Sequence, residues 1–236
     1  MRSTRLVFCL VWALLPWTAA QADERAAEKA DMPFWLAPKV DLDLRSLSPA
    51  PVKLVAGPDG SRMFALLQTG DDAPSANYVP SNPNLEPFVP KEDTGYRVVA
   101  GGLKEGALPY GDRKYKIQKL DAAFSGLTLL QTKNGHKAIV DGRYSVILSA
   151  AKPCYVFVAV DERALETYKK HGTPSWLQEF APTGHKLATD DPIMADAAAS
   201  YLVFVRKTPA GRIALGPPGM DVDYNAMYFA FFAEAR

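Results

Sequence analysis

The side chains of this sequence that could do chemistry are few and scattered, and their types favour binding over bond-breaking. The three histidines, His136, His171 and His185, lie 35 and 14 residues apart. No pair has the close spacing of a zinc-binding helix or hairpin, and no H-E-x-x-H or paired C-x-x-C occurs. Neither a G-x-S-x-G nucleophile elbow nor a Walker loop is present. Gly101-Gly102 with Gly106 is glycine-rich but falls between β-favouring runs, without the helix that would aim backbone amides at a phosphate. Nothing in the spacing of the acids selects a carboxylate pair for glycoside hydrolysis. The expectation is therefore no catalytic residue, no metal and no cofactor. One set does stand out: Tyr110-Gly111-Asp112-Arg113-Lys114-Tyr115, Asp161-Glu162-Arg163 and Thr173-Pro174-Ser175-Trp176-Leu177. Sugars are held in water by stacking a C–H face on aromatic rings while Asp and Arg take the hydroxyls. Tyr110, Asp112, Arg113, Tyr115, Asp161, Arg163 and Trp176 are thus the candidate ligand-binding residues. The competing reading is internal: Asp112–Arg113 and Asp161–Arg163 as ion pairs at strand ends, and Trp176 as a plug in the core.

The elements that must position this set read as strands. From Gly95 onward, short runs rich in Val, Ile, Tyr and Phe are broken every ten or so residues by Gly, Pro, Asn or Asp. That rhythm predicts an all-β, antiparallel β-sandwich, jelly-roll-like, with a short helical insertion. The expected strands are 96–100, 114–118, 127–132, 143–149, 154–160, 201–206, 212–215 and 227–232. Tyr144, Val146 and Leu148 alternate onto one face, whereas Tyr155 to Val160 is apolar almost throughout, as a central strand covered on both sides should be. Residues 161–180 carry the helical insertion. Cys154, at the head of the run Cys-Tyr-Val-Phe-Val-Ala-Val, reads as a small apolar residue inside a strand, with no base or positive setting to make it a nucleophile.

Upstream, Met1 to Ala22 has a basic start, an apolar run from Leu6 to Leu15 and Ala20-Gln21-Ala22 before Asp23, the three parts of a secretory signal peptide. The apolar run is too short to cross about 30 Å of hydrocarbon, and no later stretch is long enough, so no membrane span is expected. Export to the periplasm or beyond follows, with the oligomeric state open. Residues 23–94 read as an N-terminal lead-in. It carries one hairpin (51–56 and 61–69 around Gly57-Pro58-Asp59-Gly60) and a Pro-rich linker through 71–93. Residues 95–236 form the sandwich domain. Over the 236 residues, 48% are hydrophobic, and 27 basic side chains face 26 acidic ones with no long single-sign block. Nothing here resembles the basic footprint of a nucleic-acid binder. Leu66-Leu67-Gln68-Thr69 recurs as Leu129-Leu130-Gln131-Thr132, a coincidence of two strand ends.

An ordered series of motifs also carries a resemblance. It comprises Tyr110-x-Asp112-Arg113-x-Tyr115, Leu127 to Thr132 followed by Asn134 and Lys137, and Tyr155-Val156-Phe157-Val158-Ala159-x-Asp161-x-Arg163. It continues through Pro174-x-Trp176-Leu177-x-x-Phe180-x-x-Thr183-Gly184 and Ile213-Ala214-Leu215-Gly216. Over about residues 96 to 236 it resembles a poorly characterised, carbohydrate-binding-module-like β-sandwich appended to secreted bacterial polysaccharide-degrading and surface proteins. The resemblance implies an accessory, non-catalytic role with a polysaccharide or cell-surface glycan as partner. This chain departs from the group at Asn134-Gly135-His136-Lys137, where relatives tend to be acidic, and at Gly216-Pro217-Pro218-Gly219, where they tend to have Gly-Gly-Asn. Two alternatives stand beside glycan binding. One is a structural or protein-interaction domain of the periplasm or cell envelope. The other is a polysaccharide-active enzyme with a histidine or tyrosine as base and an arginine balancing a uronate charge, which requires Arg113, Arg163, His171 and His185 to share a cleft.

Overall fold

A computed structural model of the protein describes residues 33–57, 96–138, 145–190, 199–218 and 226–235. The strands are β1 (Val52–Ala56), β2 (Arg97–Val99), β3 (Ile117–Lys119), β4 (Thr128–Gln131), β5 (Val146–Ala150), β6 (Cys154–Asp161), β7 (Ala181–Thr189), β8 (Ala199–Thr208), β9 (Gly211–Leu215) and β10 (Phe229–Glu234). A three-stranded sheet runs β1-β5-β9 and a seven-stranded, curled sheet runs β2-β4-β10-β6-β8-β7-β3. Every pairing between these strands is antiparallel. The protein is the all-β sandwich the sequence rhythm predicts.

The run Cys154–Asp161 is apolar on both faces because β6 lies in the interior of its sheet, between β10 and β8. Side chains of a strand alternate between faces, and the register shows what each face meets. On one face Phe231 of β10 stands opposite Phe157 of β6, the rings stacked 4.9 Å apart, with Phe124 packed 5.2 and 5.4 Å from the two. On the other face Ala230, Val158 and Phe204 line up across β10, β6 and β8, and Phe34 packs 4.5 Å from Phe204. All of these residues are buried. Each large ring removed from water contributes about 1.5–3 kcal/mol, so this double-sided aromatic layer is the main cohesive term of the fold.

Residues 161–180 hold the helical insertion: α1 (Ala164–His171) and a single 3-10 turn, Ser175–Glu179. Ala164 and Tyr168, one turn apart, face inward. The helix stops at Gly172, whose φ of 88° lets its amide reach back to the Tyr168 carbonyl at 2.9 Å.

Strand β7 is the element that sequence reasoning did not expect. Pro182 lacks a ladder donor and Gly184 is a turn-forming type, and the ladder to β8 does break between Pro182 and Lys186 in a bulge. Gly184 takes a φ of 81° there, and the Thr183 hydroxyl donates to the Val203 carbonyl at 2.8 Å, stitching the irregular stretch to β8. The expected strands at 114–118 and 227–232 exist but begin three and two residues later, as β3 and β10.

Residues 33–57 contribute directly to the sandwich. β1 pairs with β5, Pro49 bridges to Ala233, and the Thr128 hydroxyl donates to the Ala50 carbonyl at 2.7 Å. The second hairpin arm expected at 61–69, the Pro-rich stretch 71–93 and the leader 1–22 lie outside the described residues.

Candidate functional site

Register places the candidate residues at one end of the sandwich. Asp161 closes β6 and pairs with Tyr201 of β8, Thr132 follows β4, and residues 226–228 lead into β10 between them. The chemistry of this end is a set of side chains holding backbone.

Asp161 is fully buried. One of its oxygens accepts from the Ala226 amide and from Arg163 Nη2, both at 2.6 Å. The other accepts from the Arg163 amide and Nε, both at 2.9 Å. A carboxylate is tolerated in such a place only when its charge and lone pairs are satisfied in this way. Asp112 is built alike: it accepts from the Asn134 amide at 2.8 Å, the Gly135 amide at 2.9 Å and Arg113 Nη1 at 3.1 Å. The Asn134 side chain then accepts from the Met227 amide at 2.8 Å. The Tyr110 hydroxyl donates to the Met227 carbonyl at 2.5 Å and lies 3.0 Å from the Tyr201 hydroxyl, so Tyr201 is the donor of that second bond. Thr132 completes the group by donating to the Tyr228 carbonyl at 2.7 Å. Three consecutive residues, 226 to 228, are therefore held by four side chains, one of them braced by Tyr201.

The exit from β9 is held in the same manner. Tyr228 donates to the Gly216 carbonyl at 2.8 Å, Trp176 Nε1 to Pro217 at 2.9 Å and Tyr168 to Pro218 at 2.8 Å. Three successive carbonyls each receive an aromatic donor from a different element. Gly216 is required here because a Cβ at that position would overlap the Trp176 ring. Pro217 and Pro218 offer no amide, which ends the ladder at β9.

The seven expected residues thus sit at one end but divide by exposure. Tyr110 and Asp161 are wholly buried, Tyr115 and Asp112 nearly so, with the Tyr115 ring edge-on to Tyr110 at 6.3 Å. Arg113, Arg163 and Trp176 are half-buried, the two guanidinium side chains 24% and 23% exposed. Asn134, Thr132, Tyr168, Tyr201 and Tyr228 belong to the same construction without having stood out in the sequence. Of these, Thr132 and Asn134 carried a signal, as parts of the Leu127–Thr132 run and the Asn134–Lys137 turn of the resemblance.

Charge is tuned at this end. Burial, reinforced by nearby Lys133 and partly offset by Asp112, lowers the His136 imidazole to about 4, so it is neutral near pH 7 with its Nδ1 3.1 Å from the Tyr96 hydroxyl. Burial, with Asp161 close by, pushes the Tyr168 hydroxyl up, so it remains a donor. The other two histidines are placed differently. His185 Nδ1 lies 3.0 Å from Asp121 Oδ2, on the bulge of β7, and His171 ends α1 in solvent. Arg113, Arg163 and His185 thus each engage a different aspartate. Among the described residues no group of three or more His, Cys, Asp or Glu side chains is arranged to hold a metal ion.

The fold and this end of it define an antiparallel β-sandwich with a heavily clamped loop-bearing edge. No protein-family model matches the chain, and no curated protein does. Among solved structures, the chain is similar to part of a β-glucuronidase from glycoside hydrolase family 2. That match has 19% identity and a TM-score of 0.48, over 60% of this chain and 14% of the enzyme. It is also similar to part of a glycoside hydrolase family 138 enzyme targeting the pectin rhamnogalacturonan II, with 12% identity and a TM-score of 0.46 over 92% of this chain and 19% of the enzyme. The chain spans under a fifth of the length of either enzyme.

Proposed function

We propose that this protein is an exported, non-catalytic β-sandwich module that binds carbohydrate through the end bearing Arg113, Arg163 and Trp176. The observation that supports this reading is the clamp. Seven carbonyl and amide groups of residues 216–218 and 226–228 are each fixed by a side chain from elsewhere in the fold. A connection that merely joins two strands needs no such construction, whereas a binding surface gains affinity from being fixed before the ligand arrives. Half-exposed Trp176 offers an aromatic edge and the two arginines offer planar donors to hydroxyls or carboxylates of a glycan. Export rests on the leader-like pattern of residues 1–22, and the place of action is the periplasm or the exterior.

A second reading, a structural or protein-interaction domain of the cell envelope, draws on a specific fact: the hydroxyl of Tyr110 and the carboxylate of Asp161 are spent inside the protein. Titration of tryptophan emission with soluble neutral and uronate-containing polysaccharides separates the two. Glycan binding predicts a saturable change that disappears in Trp176→Phe and weakens in Arg163→Ala and Arg113→Ala. Unchanged emission across the panel, with Trp176 resistant to quenchers, would transfer the assignment to the protein-interaction reading.

A further inference from the structure

The clamp on residues 216–218 is continuous with a segment far upstream in sequence. Tyr168, which donates to the Pro218 carbonyl at 2.8 Å, is a ring on α1 that does not stand alone. Trp35 stacks on it with centroids 6.5 Å apart and an interplanar angle of 29°, and Phe34 lies 6.3 Å from it. Phe34 is itself wedged 4.5 Å from Phe204 of β8, and edge-on to Trp35 at 5.4 Å. The 3-10 turn Phe34–Leu36 is thereby seated between α1 and the large sheet. Downstream, Val40 donates to the Pro182 carbonyl at 3.0 Å, so the segment is fixed to β7 as well. An aromatic relay therefore runs from Phe34 and Trp35 through the Tyr168 ring to its hydroxyl. One peptide away from Pro218, the Pro217 carbonyl receives the Trp176 indole.

We propose that Phe34 and Trp35 are positioning residues for the candidate binding face, acting through Tyr168 on the Pro217–Pro218 carbonyls and hence on the Trp176 indole. Closely packed interiors transmit a displacement when a ring is removed. Loss of the Phe34 ring frees Tyr168 to tilt, the bond to Pro218 lengthens, and the neighbouring carbonyl that holds Trp176 moves with it. The consequence for ligand affinity rests on the reading of this end as the glycan-binding face; the mechanical coupling does not.

The test follows the indole N–H of Trp176 by nuclear magnetic resonance in the full chain, its signal assigned by loss in Trp176→Phe. Phe34→Ala and Tyr168→Phe should each shift that resonance and speed its hydrogen exchange roughly fivefold to tenfold, the factor that one lost hydrogen bond supports. The double variant should add little, because both act along one path. Leu36→Ala, in the same turn but 64% exposed, should leave the signal unmoved. Where Phe34→Ala does not fold, Phe34→Leu keeps most of the volume and removes the ring contacts. A Trp176 signal unmoved in Phe34→Leu and Tyr168→Phe, alongside a lowered melting temperature, would overturn the proposal and leave Phe34 as packing alone. A shifted signal, with no polysaccharide binding by any variant or by the parent chain, would sustain the coupling and dismiss the glycan reading.

Discussion

Asp161 and Asp112 show how a polar residue can be costly to remove without touching a ligand. Asp161 has no exposed surface and holds an arginine and two backbone amides. Replacing it by Asn keeps the shape but strands the Arg163 charge. Deleting one partner of a buried pair costs about 3–5 kcal/mol, because the survivor is left uncompensated. Asp161→Asn should therefore lower the urea midpoint by the equivalent of about 3–5 kcal/mol, a large share of the roughly 5–15 kcal/mol that holds a domain. Lys152→Ala, which breaks an exposed pair with Glu234 at 2.7 Å, should cost under about 1 kcal/mol. His136 adds a pH dependence. Its folded value of about 4 lies below the ordinary 6.5, so the unfolded chain takes up a proton first as pH falls. Stability from the neutral imidazole is complete above pH 6.5, declines as pH falls toward 4 and is gone below it. The difference in urea midpoint between the parent and His136→Gln, measured from pH 7 to pH 4, should shrink or change sign along that interval; a constant difference would refute the assignment. At this scale the sequence displayed the neighbouring Asp/Arg pairs and was silent about which way they faced. Asp112–Arg113 and Asp161–Arg163 are adjacent or two apart, so their pairing was legible. The amides of residues 134, 135 and 226 that complete their shells come from chain 22 to 65 positions away, which no local pattern encodes.

Elements were legible in proportion to the regularity of their hydrophobic pattern. β6, with its continuous apolar run, is fixed by burial on both faces, and Val146 and Leu148 of β5 are inward as their alternation predicts. β7 escaped because local rules and tertiary context disagree there. Proline removes a ladder donor and glycine at positive φ breaks the pleat. Yet the strand survives because Ala181 and Pro182 pair with Val205 and Phe204 on one side of the bulge, and Lys186 to Thr189 pair with Leu202 to Ala199 on the other. The irregularity has a use: it presents His185, whose Nδ1 meets Asp121 Oδ2 at 3.0 Å while its ring packs edge-on against Phe124. That ties the 3-10 turn Ala122–Phe124 over the aromatic layer of β6 and β10. The strand ends displaced by two to three residues have a related cause. Tyr115 and Tyr228 look like strand residues by type, but their side chains are used in ring contacts and a carbonyl clamp just outside the ladders.

For the molecule as a whole, the open matter is where the folding unit begins, and the packing of residues 33–57 makes a definite prediction. A chain starting at residue 95 would lack β1, leaving β5 and β9 as a two-stranded sheet, which is marginal on its own. It would lose the Phe34 ring from its place beside Phe204 and Tyr168 and the Val52 side chain from the core. Thr128 would keep a buried hydroxyl without the Ala50 carbonyl, and the edge of β10 would lose the Phe232 and Glu234 bonds to Ala50 and Ser48. An unmet buried hydroxyl costs about 1–3 kcal/mol and a lost core aromatic about 3–5 kcal/mol. Together these equal a large part of the roughly 5–15 kcal/mol that holds a domain. A chain comprising residues 33–236 should therefore unfold cooperatively with the urea midpoint of the full chain. Residues 95–236 alone should give a broad transition with weak near-ultraviolet circular dichroism. A sharp transition at the same midpoint for 95–236 would mean that the upstream segment is an appendage and that the sandwich closes without it. A broad one would make the upstream segment part of the scaffold that sets Tyr168, and with it the carbonyls at the clamped end.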